Sequence, residues 1–168
     1  MAKLYIITGP AGVGKSTVSK GLAERLEKSV LLEGDDFYHQ VVGGYVQAWK
    51  HGNHLDIFWK VCIDTINNYL NASYDVIFNY IIDNDKLIEL KSIFENVETK
   101  FVVLLVSEET ILKRDKKRPE EHQMKGRCLV LLNEFLNNNY DEKYILYTDK
   151  LTINQTVDEI INNKKYFL

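Results

Sequence analysis

The chain contains few of the residues that mark specialised classes of protein. Among its 168 residues two are cysteine and two are proline, and no apolar run approaches the roughly 20 residues that a membrane-spanning helix needs. These scarcities argue against a disulfide scaffold, a proline-rich disordered chain and a helical membrane protein. Cys62 and Cys128 are far apart in the sequence and lie among apolar neighbours, so we expect buried, reduced thiols.

A large charge of one sign is also lacking. The formal net charge of −3 argues against a protein that binds nucleic acid through its overall field. With 45% hydrophobic and 27% charged residues, the composition is that of one ordinary globular domain over residues 1–168. The N-terminus runs into an apolar segment without a cleavable signal, so we expect a cytoplasmic protein with no membrane attachment. We further expect a monomer or a homodimer.

The most informative segment present is a glycine-rich loop behind an apolar run. Residues 3–17 read KLYIITGPAGVGKST, with the GxxxxGK[ST] spacing of a phosphate-binding loop. Its glycines can turn backbone N–H groups toward an anion, the Lys15 ammonium suits the outer phosphates, and the Ser16 hydroxyl suits Mg²⁺. We therefore expect ATP and Mg²⁺ as cofactors, bound by Gly9, Pro10, Ala11, Gly12, Val13, Gly14, Lys15, Ser16 and Thr17.

Helical and strand patterns alternate along the rest of the chain. Apolar periodicity predicts helices over 16–28, 55–69, 85–95, 108–117, 123–137 and around 157–161, and apolar runs predict strands over 4–7, 30–33, 75–82, 101–106 and 144–147. This alternation predicts an α/β fold of three layers (α/β/α), a P-loop NTPase fold with a five-stranded parallel sheet. Ligands of such sheets bind beyond the carboxyl ends of the strands, so the loops that follow the five strands should share one cleft.

Acidic residues follow the second and third predicted strands. Asp35 and Asp36 come after the second strand, where a carboxylate can orient a hydroxyl nucleophile and accept its proton, and Asp35 is the candidate base. The same run also fits a water-mediated Mg²⁺ contact, or a turn and helix cap. The apolar run of the third strand, residues 76–78, is followed by Asn79 and not by an acid. Asp83 comes later, and either contacts Mg²⁺ through water or starts the next helix.

A locally basic segment follows the fourth predicted strand. Residues 113–127 read KRDKKRPEEHQMKGR and contain Arg114, Arg118 and Arg127. Planar arginine side chains can grip a transferring phosphoryl group, and a segment that closes over the nucleotide excludes water. We interpret the segment as a small helical lid. The alternative is a solvated helix face whose positive charges are offset by the two neighbouring glutamates.

Residues 36–55 are rich in aromatic, glycine and histidine side chains, which favours a flexible acceptor-binding segment. His51 and His54 suggest a metal site only weakly, because no cysteine accompanies them and no fixed ligand set is visible. Polar surface or contact with a substrate is the favoured interpretation of these two histidines.

Four segments together resemble a known group of enzymes. The GPAGVGKS loop, the EGDDFYH segment, the arginine-bearing segment and the ending YTDKLTINQTVDEI resemble the small P-loop kinases of the nucleoside-monophosphate-kinase-like fold. More narrowly, nearly the whole chain resembles the gluconate-kinase-like and shikimate-kinase-like group. The acceptor-binding arginine pattern of shikimate kinases is missing, and EGDDFYH only partly follows the GDxxH pattern of gluconate kinases, so the acceptor is open.

The resemblance implies roles for particular residues. The acid after the second strand, Asp35, would serve the acceptor hydroxyl. The lid arginines would contact the phosphates: Arg114, Arg118 and Arg127. The loop after the last strand would contact adenine, which implicates Thr148 and Asp149 through backbone or side chain.

The leading hypothesis is a kinase that moves the γ-phosphoryl group of Mg-ATP to a hydroxyl of a small molecule. Its catalytic residues would be Lys15, Asp35, Arg114 and Arg118. Two alternatives stay open: a nucleotide-binding regulator that hydrolyses ATP slowly or not at all, and a kinase that acts on nucleic-acid ends.

Overall fold

The computed structural model describes residues 1–48, 50, 52–117 and 119–168. Trp49, His51 and Arg118 are outside the described residues. The predictions made above for His51 in the acceptor segment and for Arg118 in the lid therefore concern positions that are not described.

Five parallel strands form a single sheet, as the alternating pattern predicted. They are β1 (Lys3–Thr8), β2 (Ser29–Glu33), β3 (Asp75–Asn79), β4 (Glu98–Leu105) and β5 (Ile145–Tyr147). The strand order is β2-β3-β1-β4-β5, with β1 between β3 and β4. Because β1 is central, the loop that follows it emerges in the middle of the carboxyl edge of the sheet, where ligands of this architecture bind.

Helices connect the strands. The α-helices are α1 (Lys15–Arg25), α2 (Gly34–His39), α3 (His54–Asn71), α4 (Asn84–Ile93), α5 (Glu108–Asp115), α6 (Arg127–Leu136) and α7 (Ile153–Asn162). Short 3₁₀ turns occupy Glu120–His122, Glu142–Tyr144 and Lys164–Tyr166. None of the helices in the described part of the chain is long and apolar enough to cross a membrane.

The core is the sheet itself together with the inner faces of these helices. Seven of the eight residues of β4 are buried, which is typical of a strand covered by helices on both faces. Cys62 and Cys128 are buried free thiols, as the sequence predicted. Burial raises the pKa of the Cys62 thiol to about 12, so this side chain is packed as a small apolar group and is not a reactive thiolate.

Among the segments that differ from the sequence prediction are the third strand and α2. The strand expected over 75–82 ends at Asn79, because the chain then turns across the end of β1: Tyr80 N donates to Ile7 O (3.3 Å) and Ile82 N donates to Thr8 Oγ1 (3.0 Å). Helix α2 was not predicted as a helix. Its six residues are too few for apolar periodicity to be recognised.

Candidate active site

The glycine-rich loop fits closely against the sheet. Gly9, Gly12 and Gly14 have φ angles of 146°, 90° and 103°, in the region that side chains rarely adopt. A Cβ atom added at Gly9 would overlap the carbonyl oxygen of Leu104 in β4. The absence of a side chain at Gly9 is therefore required both by the backbone angle and by the close approach of the neighbouring strand.

The first turn of α1 is left available for an anion. No side chain caps this helix, its N-cap residue is Gly14, and its first turn contains no acid. By contrast, Asp83, Ser107 and Thr152 cap the starts of α4, α5 and α7 with their side chains. Since a helix N-terminus carries partial positive charge and N–H groups without intrahelical partners, α1 is suited to bind phosphate.

Two cationic side chains lie on the loop. Lys15 Nζ donates to the carbonyl oxygens of Gly9 (2.9 Å) and Pro10 (3.2 Å). Arg114, near the end of α5, donates from Nη1 to Val13 O at 2.5 Å. The fold therefore brings an arginine of the predicted lid onto the phosphate-binding loop, 101 residues away in the sequence.

A cleft of about 620 Å³ opens above the loop, within the range of about 300–1,000 Å³ common for ligand pockets. Its lining comes from the carboxyl ends of four strands: residues 11–18 after β1, Asp35 after β2, Asn79 at the end of β3, and Thr148 and Leu151 after β5. The loop directly after β4, which the sequence also predicted to share the cleft, is not among the described lining residues. Arg114 joins them from α5. The cleft thus contains phosphate-binding groups and one candidate base.

Glu33 is a functional candidate that sequence reasoning missed. Its Oε2 accepts hydrogen bonds from Ser16 Oγ (3.0 Å) and Asn79 Nδ2 (2.9 Å). Glu33 and Asn79 are paired in the register of β2 and β3, and Asn79 is also paired with Ile7 of β1. Glu33 is the last residue of an apolar strand, so the local sequence pattern assigns it to that strand and gives it no functional role. The strand order, which puts β3 between β2 and β1, is the signal that identifies Glu33 as a site residue.

The other acids after β2 and β3 are divided between the cleft and helix starts. Asp35 and Asp36 are both exposed in the first turn of α2, but Asp35 lines the cleft and Asp36 is not among its lining residues. Asp83 accepts a hydrogen bond from Lys86 N (2.8 Å) and caps α4. Of the two roles considered for Asp83, the geometry shows the cap.

Thr148 and Asp149, the residues expected near adenine, have different environments. Thr148 lines the cleft, and its backbone N donates to Leu105 O at 3.0 Å. The Asp149 carboxylate accepts hydrogen bonds from Ser107 N (2.9 Å), Ser107 Oγ (2.6 Å) and Thr110 Oγ1 (2.7 Å). Partial burial acts to raise the pKa of Asp149, but the bonds from Ser107 and Thr110 outweigh it and lower that pKa. The Asp149 side chain therefore ties the end of β5 to the start of α5.

The predicted lid is anchored at its base. The buried carboxylate of Asp115 accepts hydrogen bonds from Met124 N (3.0 Å) and Lys125 N (2.7 Å), and Lys125 has a φ of 51°. These bonds hold the backbone out of helical geometry, so α6 begins at Arg127 and not at residue 123 as predicted. Arg127 is exposed and is not among the described residues that line the cleft.

Comparison with known proteins agrees with this geometry. A family model described as an AAA domain matches residues 4–128, about three quarters of the chain. The chain belongs to this AAA-domain family. In fold, the predicted resemblance to the gluconate-kinase-like and shikimate-kinase-like group is confirmed. No curated protein sequence matches the domain significantly.

Solved structures share the fold of this P-loop domain. The tunicamycin resistance protein of Deinococcus radiodurans is similar with a TM-score of 0.71 and 19% identity, over 95% of this chain and 94% of that one. A gluconokinase from Sinorhizobium meliloti 1021 has a TM-score of 0.63 and 19% identity, over 94% and 89%. A chain of the Pnkp1/Rnl/Hen1 RNA repair complex has a TM-score of 0.67 and 20% identity, over 83% of this chain but 46% of that one.

A second, smaller pocket of about 260 Å³ lies beside the cleft of the P-loop domain. It is formed by α2, the segment after it and the first two turns of α3, which is the part of the chain where the sequence predicted acceptor binding. Tyr38 fixes the shape of this segment by donating its hydroxyl proton to Val46 O at 2.5 Å. Both the pocket and the cleft adjoin α2: Asp35 of this helix lines the cleft, and Phe37 and Tyr38 line the pocket.

Proposed function

We propose that the domain is a phosphotransferase that moves the γ-phosphoryl group of Mg-ATP to a hydroxyl of a small molecule. The observation that carries this proposal is the convergence of Lys15, Arg114 and Asp35 on one cleft. Two cations suit the charge of the transferring group, and the carboxylate suits the proton of the acceptor. Family membership supports kinase chemistry, and the residues that line the cleft are the basis for a hydroxyl acceptor.

The phosphate-binding half of the site holds and orients the nucleotide. Backbone N–H groups of residues 11–16 and the uncapped start of α1 bind the phosphate oxygens. Lys15 exchanges its contacts with the loop carbonyls for the outer phosphates. Arg114 lies next to Gly14. It donates hydrogen bonds to the equatorial oxygens of the γ-phosphoryl group, over which negative charge spreads in the transition state.

The acceptor half of the site supplies the base. Asp35 accepts a hydrogen bond from the acceptor hydroxyl and orients its oxygen toward the γ-phosphorus. As the new oxygen–phosphorus bond forms, the bond from that phosphorus to the β–γ bridging oxygen breaks and ADP leaves. The hydroxyl proton passes to Asp35, which is exposed enough to return it to water after the products leave.

The donor set at Ser16 and Glu33 fits Mg²⁺. A hydroxyl oxygen and a carboxylate 3.0 Å apart offer the hard oxygen ligands, direct or through water, that this ion prefers. When bound, the ion would neutralise charge on the β- and γ-phosphates. Asn79 donates to the Glu33 carboxylate at 2.9 Å, and in this way orients that carboxylate toward Ser16.

The direct test is a screen for acceptors that stimulate ADP release. The chain would be incubated with Mg-ATP and sugar acids, polyols, nucleosides or hydroxylated antibiotics, and ADP would be measured with and without each acceptor. The tunicamycin resistance protein and the gluconokinase, as similar folds, motivate the inclusion of antibiotics and sugar acids. Slow ADP release that no acceptor changes would instead favour the nucleotide-binding regulator.

A second candidate function is a kinase that acts on nucleic-acid ends. The similar fold in an RNA repair complex and the basic segment 113–127 favour it. Such binding should weaken steeply as salt is raised, because phosphate contacts release counterions. Titration of a labelled RNA oligonucleotide at about 50 and 200 mM salt tests it, and salt-independent or undetectable binding contradicts it.

We also propose a cellular compartment and an oligomeric state for the chain. The buried free thiols of Cys62 and Cys128 support a reducing, cytoplasmic compartment. For the assembly state we propose a monomer or a homodimer. Cell fractionation and light scattering on the purified chain test these two proposals.

A further inference from the structure

The smaller pocket is apolar and ringed by aromatic side chains. Its described lining residues include no Asp, Glu, Lys or Arg. The ring of Tyr38 makes edge-to-face contacts with Tyr45 (5.7 Å between centroids), Phe58 (5.4 Å) and His54 (6.3 Å). A flat apolar group gains favourable edge and face contacts among rings arranged in this way.

Apolar side chains at the rim are left open to solvent. Val41, Tyr45, Ile57 and Val61 all line the pocket and are 48%, 44%, 59% and 41% exposed. Ile57 and Val61 are four residues apart on α3, so they form a continuous apolar edge. This edge would be removed from water by an apolar ligand in the pocket, which is a favourable change.

One polar atom in the lining is unsatisfied. His54 Nε2 is buried and has no hydrogen-bond partner among the described residues. On its other side, the ring packs near Gly52, where an added Cβ would come 2.8 Å from Nδ1. Because a buried polar atom without a partner is costly, a polar group of a ligand that reached His54 Nε2 would be stabilised there.

The pocket is next to the candidate base. Asp35 and Tyr38 are three residues apart in α2, which puts their Cβ atoms about 5–6 Å apart. Tyr80 packs so closely on Gly34 that a Cβ there would overlap its ring, and it contacts Phe58 at 4.7 Å between centroids. A molecule seated among these rings can therefore extend a hydroxyl past α2 to the Asp35 carboxylate.

We propose that the phosphoryl acceptor is an uncharged alcohol with a flat apolar body, which occupies this pocket while its hydroxyl meets Asp35. This inference rests on the proposed phosphotransferase function and narrows its substrate class. A pocket of about 260 Å³ is just below the usual range for whole ligands, so it suits the apolar part of such a molecule. The described lining offers no cation for a sugar-acid carboxylate.

Three alcohols of different charge test the proposal. Indole-3-ethanol represents the apolar class, gluconate an anionic polyol, and choline a cation that aromatic rings could attract. Binding of each to the full chain with Mg²⁺ and a non-hydrolysable ATP analogue would be measured by saturation-transfer NMR and calorimetry. ADP release would be measured with Mg-ATP and the same alcohols.

A matched pair of variants locates the binding site. Ile57→Glu puts a carboxylate at the pocket rim, and Ile88→Glu makes the same change on α4, where the side chain is 62% exposed and outside the pocket. Both positions are exposed, so both variants should fold. We expect Ile57→Glu to weaken indole-3-ethanol binding by about tenfold or more, because the charge loses hydration when the ligand covers it, and Ile88→Glu to leave it unchanged.

The outcomes separate this inference from the proposed function. Tighter binding of gluconate or choline than of indole-3-ethanol, or equal binding by the two isoleucine variants, overturns the apolar acceptor. ADP release stimulated by gluconate alone would keep the phosphotransferase and overturn the acceptor class. If indole-3-ethanol binds in a way that depends on Ile57 but none of the three alcohols stimulates ADP release, the assignment of the pocket as a binding site is supported and the phosphotransferase function is contradicted.

Discussion

The Glu33 carboxylate accepts a hydrogen bond from the Ser16 hydroxyl at 3.0 Å, although the two residues belong to β2 and α1. The acid nearest the proposed Mg²⁺ position thus comes from the second strand. The third strand supplies Asn79, an amide that orients this acid. The site therefore contains the acidic group that the carboxyl end of the third strand lacks.

Glu33→Gln is expected to raise the Mg²⁺ concentration needed for half-maximal activity by about tenfold or more, because the substitution removes a charged oxygen ligand. Titration of the phosphotransferase or ATPase rate with Mg²⁺ measures this. Asp83→Asn is the matched control, since asparagine keeps the helix cap that Asp83 provides. A larger Mg²⁺ effect in Asp83→Asn than in Glu33→Gln would assign the metal contact to Asp83.

Asp35→Asn should leave Mg-ATP binding nearly intact and slow transfer to the acceptor by about a hundredfold or more, as expected for loss of a general base. Rapid-quench measurement of transfer, with nucleotide affinity from calorimetry, separates these effects. Asp36→Asn removes the neighbouring exposed acid that is not among the cleft residues. The assignment of the base is wrong if Asp36→Asn is the slower variant or if Asp35→Asn turns over normally.

Arg114→Ala should lower kcat by about a hundredfold or more while changing KM for ATP less, because its guanidinium acts mainly on charge that develops in the transition state. Lys113→Ala removes a cation from the adjacent, exposed position on α5 and should have little effect. Steady-state kinetics at saturating acceptor give both constants. Equal losses in the two variants would mean that general positive charge, and not the Arg114 contact, is what matters.

The sequence was sufficient for the parts of the molecule whose signals are local. The phosphate-binding loop, the five strands and the position of Asp35 at the cleft each follow from residue types at short spacing. The roles of Glu33 and Asp115 depend on which strands and turns become neighbours, and no local pattern reports that. Helix α2 has only six residues and begins with glycine, so its sequence resembles that of a loop.

The apolar pocket was also beyond sequence reasoning. Residues 36–55 are visibly aromatic and glycine-rich, but the pocket also needs Ile57, Phe58 and Val61 from the helix predicted over 55–69. Phe58 is buried, whereas Ile57 and Val61 are exposed at the rim. Periodicity identifies the apolar face of a helix but not which part of it remains uncovered.

The Asp149 hydrogen bonds predict a pH dependence of stability. Because its folded pKa is lowered, the native state binds fewer protons than the unfolded state in the acid range, and stability falls as pH drops from the unfolded value near 3.8 through the folded value. Thermal unfolding midpoints across this range should fall more steeply for the wild-type chain than for Asp149→Asn. Parallel curves for the two proteins would contradict the assigned hydrogen bonds.

The most direct test of the account is calorimetric titration of the purified chain with Mg-ATP, compared with Lys15→Ala. We expect one binding site per chain in the wild type and an affinity weakened by about tenfold or more in the variant, which loses the ammonium that faces the phosphates. Unchanged affinity in Lys15→Ala, or no heat and no thermal stabilisation of the wild type with any Mg-nucleotide, would contradict the assignment of residues 9–17 as a nucleotide-binding loop.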